Sequence, residues 1–175
     1  ALEAKPANLD ELKECDLDGK KIADKVLEQS GVIGEKVELA YYDRIEAEAC
    51  IAYIHPGNKL ATVVGFNVAG IDTQVYKDVA MQIAAMDPVA ISKDEVPQEV
   101  RDEEFKIGRE AARLEGKPEQ ILDKIAEGRL NKFFKERTLL SQDFVKDSKM
   151  NVEQYLQSQN KELTVTVFKR FTLNV

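Results

Sequence analysis

The sequence predicts an α+β fold, in which an antiparallel sheet packs with helices and carries an inserted antiparallel helical hairpin. Three observations predict it. Strand-like runs occur at Ala49 to His55, Leu60 to Val68 and Leu163 to Val175, with most of the intervening chain helical in period. The first two runs are separated only by Pro56-Gly57-Asn58-Lys59, a four-residue hairpin loop. Two apolar helical stripes flank Glu115-Gly116-Lys117-Pro118, which places Gly where one helix ends and Pro where the next begins.

Taken in order, Leu9 to Gly31 is a polar, acidic helical region split in two by the turn signal Asp18-Gly19. In its second piece Ile22, Val26 and Leu27 share a face, and Gly31 and Gly34 close it. Val37, Leu39 and Tyr41 then alternate with Glu38, Ala40 and Tyr42, which predicts a first strand over Val37 to Ile45. The hairpin follows. Cys50, on its first strand, is expected to be a small buried side chain. After Gly70 the spacing of Val75, Val79, Ile83 and Met86, with Ala80 and Ala84 beside them, predicts a helix over Thr73 to Met86. Asp87-Pro88 ends it, because proline pushes the residue before it away from the α region.

From Pro97 to Leu139 the pattern becomes heptad-like. Val100, Ile107, Ala111 and Leu114 mark one stripe, with Asp102 and Lys106 as an outside pair, and Leu122, Ala126, Leu130 and Phe133 mark the other. Each helix alone would leave its stripe in water, so the two are expected to close on each other as an arm. Ser141 to Met150 reads as a loop holding Phe144 and Val145, and Asn151 to Ser158 as a short helix. In the terminal strand Leu163, Val165, Val167, Phe171, Leu173 and Val175 are expected on one face, with Lys169 breaking the alternation.

Composition narrows the function. The 175 residues include 25 Lys plus Arg against 32 Asp plus Glu, a net charge of −7, and 43% are hydrophobic. That is enough apolar material for a core, and it excludes disorder along the whole chain. Net acidity argues against a protein that binds nucleic acid by neutralising phosphates. No apolar run approaches the ~20 residues of a membrane helix, and the opening residues lack a signal-peptide pattern. Cys15 and Cys50 make no CxxC pair or disulfide framework, so a cytoplasmic setting is expected.

Chemistry-bearing motifs are scarce. With His55 as the one histidine, no histidine-based metal cluster can form, and no cofactor is expected. Gly19-Lys20 and Gly116-Lys117 are followed by Lys21 and Pro118, not by the Ser or Thr of a P-loop. Asp102-Glu103-Glu104 reads as a solvated helix face. From the residues alone His55 is either a polar turn residue or a projecting contact. Phe144 and Val145 likewise either tuck under the domain or stay out to meet a partner.

Several stretches together resemble the elongation factor Ts family. They are Gly34-Glu35-Lys36, Tyr53 to Lys59, Ala80 to Pro88, Gly116-Lys117-Pro118 through Glu127 to Phe133, Leu140 to Asp147, and Phe168 to Phe171. The resemblance covers nearly the whole chain. It implies a guanine-nucleotide exchange factor whose partner is elongation factor Tu, acting by binding linkage and not as an enzyme. Neither nucleic acid nor membrane is a direct partner on this reading, and oligomeric state stays open. It further implies that residues 1–48 are a remnant of the first half of the family's core. Residues 49–96 and 140–175 would form the second half, and 97–139 an inserted coiled-coil arm. His55 matches a family histidine at the hairpin tip that reaches the partner, so His55, Pro56 and Gly57, together with Phe144 and Val145, are the implied partner-binding residues. The family's N-terminal helical domain and Thr-Asp-Phe-Val motif have no counterpart here, so binding with feeble exchange is expected. The alternative is a non-catalytic interaction module that uses the arm.

Overall fold

Left-handed backbone is needed to reverse the chain after Pro56, and Gly57 (φ +93°) and Asn58 (φ +57°) supply it. On either side, strands β3 (Ala49–Ile54) and β4 (Leu60–Phe66) pair antiparallel from Ala49 opposite Phe66 to Ile54 opposite Ala61. The computed structural model describes residues 1–173 and divides into two units, 1–44 and 45–175.

The first unit is small. Helix α1 (Leu9–Glu14), capped by the Asn8 side chain, leads into a two-residue hairpin of β1 (Asp16–Leu17) and β2 (Lys20–Lys21). Asp18 and Gly19, both at positive φ, form its turn, and helix α2 (Ile22–Ile33) follows. Helix α2 runs through Gly31 and ends at Gly34, in the left-handed region. The strand expected over Val37 to Ile45 does not form. A strand needs a partner ladder, and the only other strands in this unit are the two-residue pair. The Val37 amide donates to Ser30 Oγ at 2.9 Å, and Tyr42 donates its hydroxyl to the Pro6 carbonyl at 3.0 Å.

In the second unit β4 is the central strand of the order β3-β4-β7, with β7 spanning Val165–Thr172. Helix α3 (Thr73–Met86), capped by the Asp72 carboxylate, packs on one face of this sheet. Val75, Val79, Ala80 and Ile83 are buried there in one cluster with Val64 and Phe66, and Ala84 is buried as well. Ala80 and Ala84 permit close approach, and the buried Thr62 hydroxyl donates to the Ala80 carbonyl at 2.9 Å. Met86, expected on this stripe, is exposed at the helix end.

A bulge decides which side of β7 faces the helix. Gly65 opposes Val167, but Phe66 opposes Val165, so Thr166 is the extra residue. Val165, Phe168 and Arg170 therefore stand beside Phe66, Val64 and Thr62 on the helix-facing side. The single face expected for Val165, Val167 and Phe171 is broken, because one inserted residue reverses every side chain beyond it. Leu173 follows the strand, and Val175 lies outside the described residues. Cys50 is exposed, in contrast to its expected burial, because its position falls on the sheet face away from α3.

Gly65 is required on that same outer face. A Cβ there would stand 2.8 Å from Ala47 Cβ and 2.8 Å from Val167 Cγ1, closer than carbon atoms tolerate. Gly65→Ala is expected to cost about 1–3 kcal/mol of unfolding free energy. A urea midpoint equal to that of the parent protein would show that the sheet gives way freely.

Helices α4 (Gln98–Leu114) and α5 (Leu122–Arg137) pack antiparallel. Their contacts run in opposite senses: the Arg101 guanidinium lies over the Phe134 ring, Gly108 meets Ala126, and Arg109 and Arg113 pair with Glu119. The buried seam is Gly108, Ala112, Leu122 and Ala126. Leu122 and Ala126 are as expected, but on α4 the seam uses Gly108 and Ala112 in place of Ile107 and Leu114, which are 55% and 81% exposed. On α4 small residues let the backbones approach, and its longer apolar side chains Ile107 and Leu114 are left outside. Asp102 accepts from Gln98 in place of the expected Lys106 pair.

After α5, strands β5 (Asp143–Phe144) and β6 (Asp147–Asn151) form a short hairpin where a loop was expected. Helix α6 (Val152–Gln159) follows, started by a capping box between Asn151 and Gln154.

Candidate functional site

Two turns of the second unit carry the residues singled out by sequence. At the first, the His55 amide donates to the Leu60 carbonyl at 2.9 Å and its carbonyl accepts from the Asn58 amide at 3.0 Å. These bonds fix the tip. His55, Pro56 and Gly57 are all exposed. The imidazole is oriented by a 2.9 Å hydrogen bond between Nδ1 and the Tyr53 hydroxyl, with the two rings edge to face. Tyr53 itself is half-buried against the core, so the histidine is braced from below, and Nε2 remains as its second polar atom.

The second turn joins β5 to β6. Phe144 is 3% exposed and stacks on Tyr155, ring centroids 4.1 Å apart and 17° from parallel. The ring belongs to the core cluster. Val145 is 50% exposed.

Polar groups from α3 surround this turn. Asp78 is almost fully buried, and its Oδ1 accepts from Lys146 Nζ and Gln74 Nε2, each at 2.6 Å, while Oδ2 accepts from the Tyr155 hydroxyl at 3.0 Å. Burial alone would raise the Asp78 carboxyl, but the donors from Lys146, Gln74 and Tyr155 outweigh it and hold the group below its ordinary value. Burial, then the neighbouring Asp78 carboxylate, pushes the Tyr155 phenol above its usual range.

A depressed carboxyl stabilises the folded state above the unfolded value, and that contribution is lost as pH falls through the folded value. The parent protein should therefore lose stability below about pH 4. Asp78→Asn should be less stable at neutral pH and show a shallower acid decline. Identical acid profiles for the two proteins, measured by urea denaturation at stepped pH, would remove Asp78 from the balance.

A hollow of about 820 Å³ lies within the first unit between α2 and the segment 35–40, lined in part by Val26, Leu27, Val37 and Leu39. Among the described residues no group of three or more His, Cys, Asp or Glu is placed to hold a metal ion. Nor is any described helix long and apolar enough to cross a membrane.

The family model for elongation factor Ts matches residues 1–175. This chain belongs to the elongation factor Ts family. A relative from Porphyromonas gingivalis named elongation factor Ts is 55% identical over 175 residues, which cover 99% of this chain and 64% of that protein. An elongation factor Ts from Cytophaga hutchinsonii is 44% identical over 177 residues, again 99% of this chain and 64% of the relative. One from Limosilactobacillus reuteri is 42% identical over 164 residues, 92% and 56% of the two chains. The chain thus spans just under two thirds of the length of the first two elongation factor Ts relatives.

Sequence reasoning passed over Asp78 and Gln82. Both lie on α3, four residues apart, and a polar pair at that spacing within a mostly apolar helix was the available signal.

Proposed function

We propose that this chain binds elongation factor Tu and promotes release of GDP for exchange with GTP, with His55 and Val145 as docking contacts. Membership of the elongation factor Ts family supports the activity. The single observation that carries the docking reading is the pair of braced turns in one unit, each presenting an exposed side chain over a rigid support. Pro56 and Gly57 shape the first turn and Phe144 supports the second.

The mechanism is linkage. A protein that prefers the form of its partner with a disturbed nucleotide site lowers nucleotide affinity, and nucleotide lowers the protein's affinity by the same factor. Each tenfold needs ~1.4 kcal/mol of differential contact. Only the part of each contact that differs between the partner's two forms counts, so the 175-residue chain should bind measurably and accelerate exchange only modestly. Release of a fluorescent GDP analogue from elongation factor Tu, followed with increasing protein, tests this. Absence of both binding and acceleration overturns it.

A second reading is favoured by Ile107, Leu114 and Ile121, apolar and exposed along and at the far end of the arm. On it the arm recognises a protein by itself. Replacing residues 102–133 with a short flexible link separates the two readings, because core docking survives that change and arm-only recognition does not. The division into a first-half remnant (1–48), a second half (49–96 and 140–175) and an inserted arm (97–139) is part of the same proposal.

A further inference from the structure

The turn that presents Val145 is held in shape by a side chain with no access to solvent. We infer that Gln82, assisted by the Asp78 and Tyr155 pair, is a positioning residue that locks the β5–β6 turn in its docking geometry. This rests on the docking reading above.

In an extended strand the carbonyl of one residue and the amide two residues on point to the same side, and a neighbouring strand normally answers both. On this side of β5 the answer comes from one carboxamide. Gln82 Nε2 donates to the Asp143 carbonyl at 3.2 Å, and Gln82 Oε1 accepts from the Val145 amide at 2.9 Å. The second Nε2 hydrogen goes to Gln142 Oε1 at 3.1 Å, and Gln142 Nε2 in turn donates to the Glu136 carbonyl at the end of α5 at 3.1 Å. Gln82 is 0% exposed and Gln142 1%.

The chemistry selects the residue type. A side-chain amide offers a donor and an acceptor on one planar group, and the two backbone partners fix which end is which. A carboxylate would repel the Asp143 carbonyl, and a thioether would answer neither group.

The side chains flanking Val145 are secured from the same helix. Asp78 holds Lys146, and it also holds the Tyr155 hydroxyl, whose ring carries Phe144. Backbone and both neighbours are thus pinned, and Val145 is left facing out. A buried hydrogen-bonded group of this kind costs little to keep and much to break, so the turn has one geometry and not several.

The test is a double-mutant cycle with a local readout. Gln82→Met, close in volume, should weaken binding to elongation factor Tu roughly tenfold in the parent background and change it less than about twofold in the Val145→Ala background. Amide exchange at Val145 should quicken in Gln82→Met far beyond any change at Val64 on the central strand. Equal losses of binding in both backgrounds, or unchanged exchange at Val145, overturn the inference. If Val145→Ala binds as the parent does, docking at this turn is overturned, and the positioning role in docking with it. The exchange result still decides whether Gln82 holds the turn. Should Gln82→Met fail to fold, Tyr155→Phe keeps the ring stack and releases one tie. It should weaken binding roughly threefold in the parent and not in Val145→Ala, and equal losses in both overturn the inference.

Discussion

Phe144→Ala is expected to destabilise the second unit by about 3–5 kcal/mol, because it empties a site that is 3% exposed and removes the stack on Tyr155 at 4.1 Å. Against a total of about 5–15 kcal/mol for a typical domain, that is a large fraction. The midpoint of thermal unfolding should fall by roughly 10 °C for a chain of this size. The consequence reaches the proposed site as well. With the ring gone, Tyr155 loses its seat and the turn loses one of its supports, so binding to elongation factor Tu should weaken even at temperatures where the variant stays folded. Calorimetry and a urea titration measure the first effect, and a binding titration on the cold side of the transition measures the second. A loss of stability below about 1 kcal/mol would mean the neighbours collapse into the space and that Phe144 is no keystone of the core.

The double variant His55→Ala with Val145→Ala is expected to behave in the opposite way, with an intact fold and a lost contact. Both side chains are exposed, and surface truncations away from buried networks usually change stability by less than about 0.5 kcal/mol. Contacts that matter at an interface cost about 1–2 kcal/mol each on truncation. The two sites are braced by different residues, His55 by Tyr53 and Val145 by Gln82, so their losses should add. Affinity for elongation factor Tu should fall by roughly a hundredfold, and each single variant should account for about a tenth of its parent's affinity. Reciprocity then requires that whatever acceleration of GDP release the parent shows should need correspondingly more of the variant. Affinity within twofold of the parent, measured by titration calorimetry, would remove both residues from the docking surface.

The contrast between these two variants turns on adjacent residues. Phe144 and Val145 look alike in sequence, as apolar side chains in a polar stretch, and the residues alone left both roles open. Burial separates them, because Tyr155 offers Phe144 a parallel ring from a helix that follows in the chain, while nothing in the immediate sequence announces that stack. The same holds for Gln82. Its partners, Asp143 and Val145, lie 61 and 63 positions along the chain, and the spacing of residues within α3 says only that a polar group shares a helix with apolar neighbours. In α4 and α5 the heptad pattern identified the two helices, their antiparallel pairing and the α5 half of the seam at Leu122 and Ala126, but chose the wrong residues on α4. A stripe search rewards large apolar residues, whereas close helix packing selected Gly108 and Ala112.

Sequence by itself determined the features governed by local backbone chemistry. The hairpin tip at Pro56 to Asn58, the span of Thr73 to Met86 with its stop at Asp87-Pro88, and the short link between α4 and α5 all follow from fixed φ, positive φ or a missing amide. Tertiary structure alone decided which side of β7 faces the helix, that Val37 to Ile45 forms no strand, and that Val145 faces out over a buried carboxamide. The physical reason is that ladder pairing, burial and hydrogen-bond satisfaction depend on groups brought together from distant parts of the chain, and no window of neighbouring residues contains them.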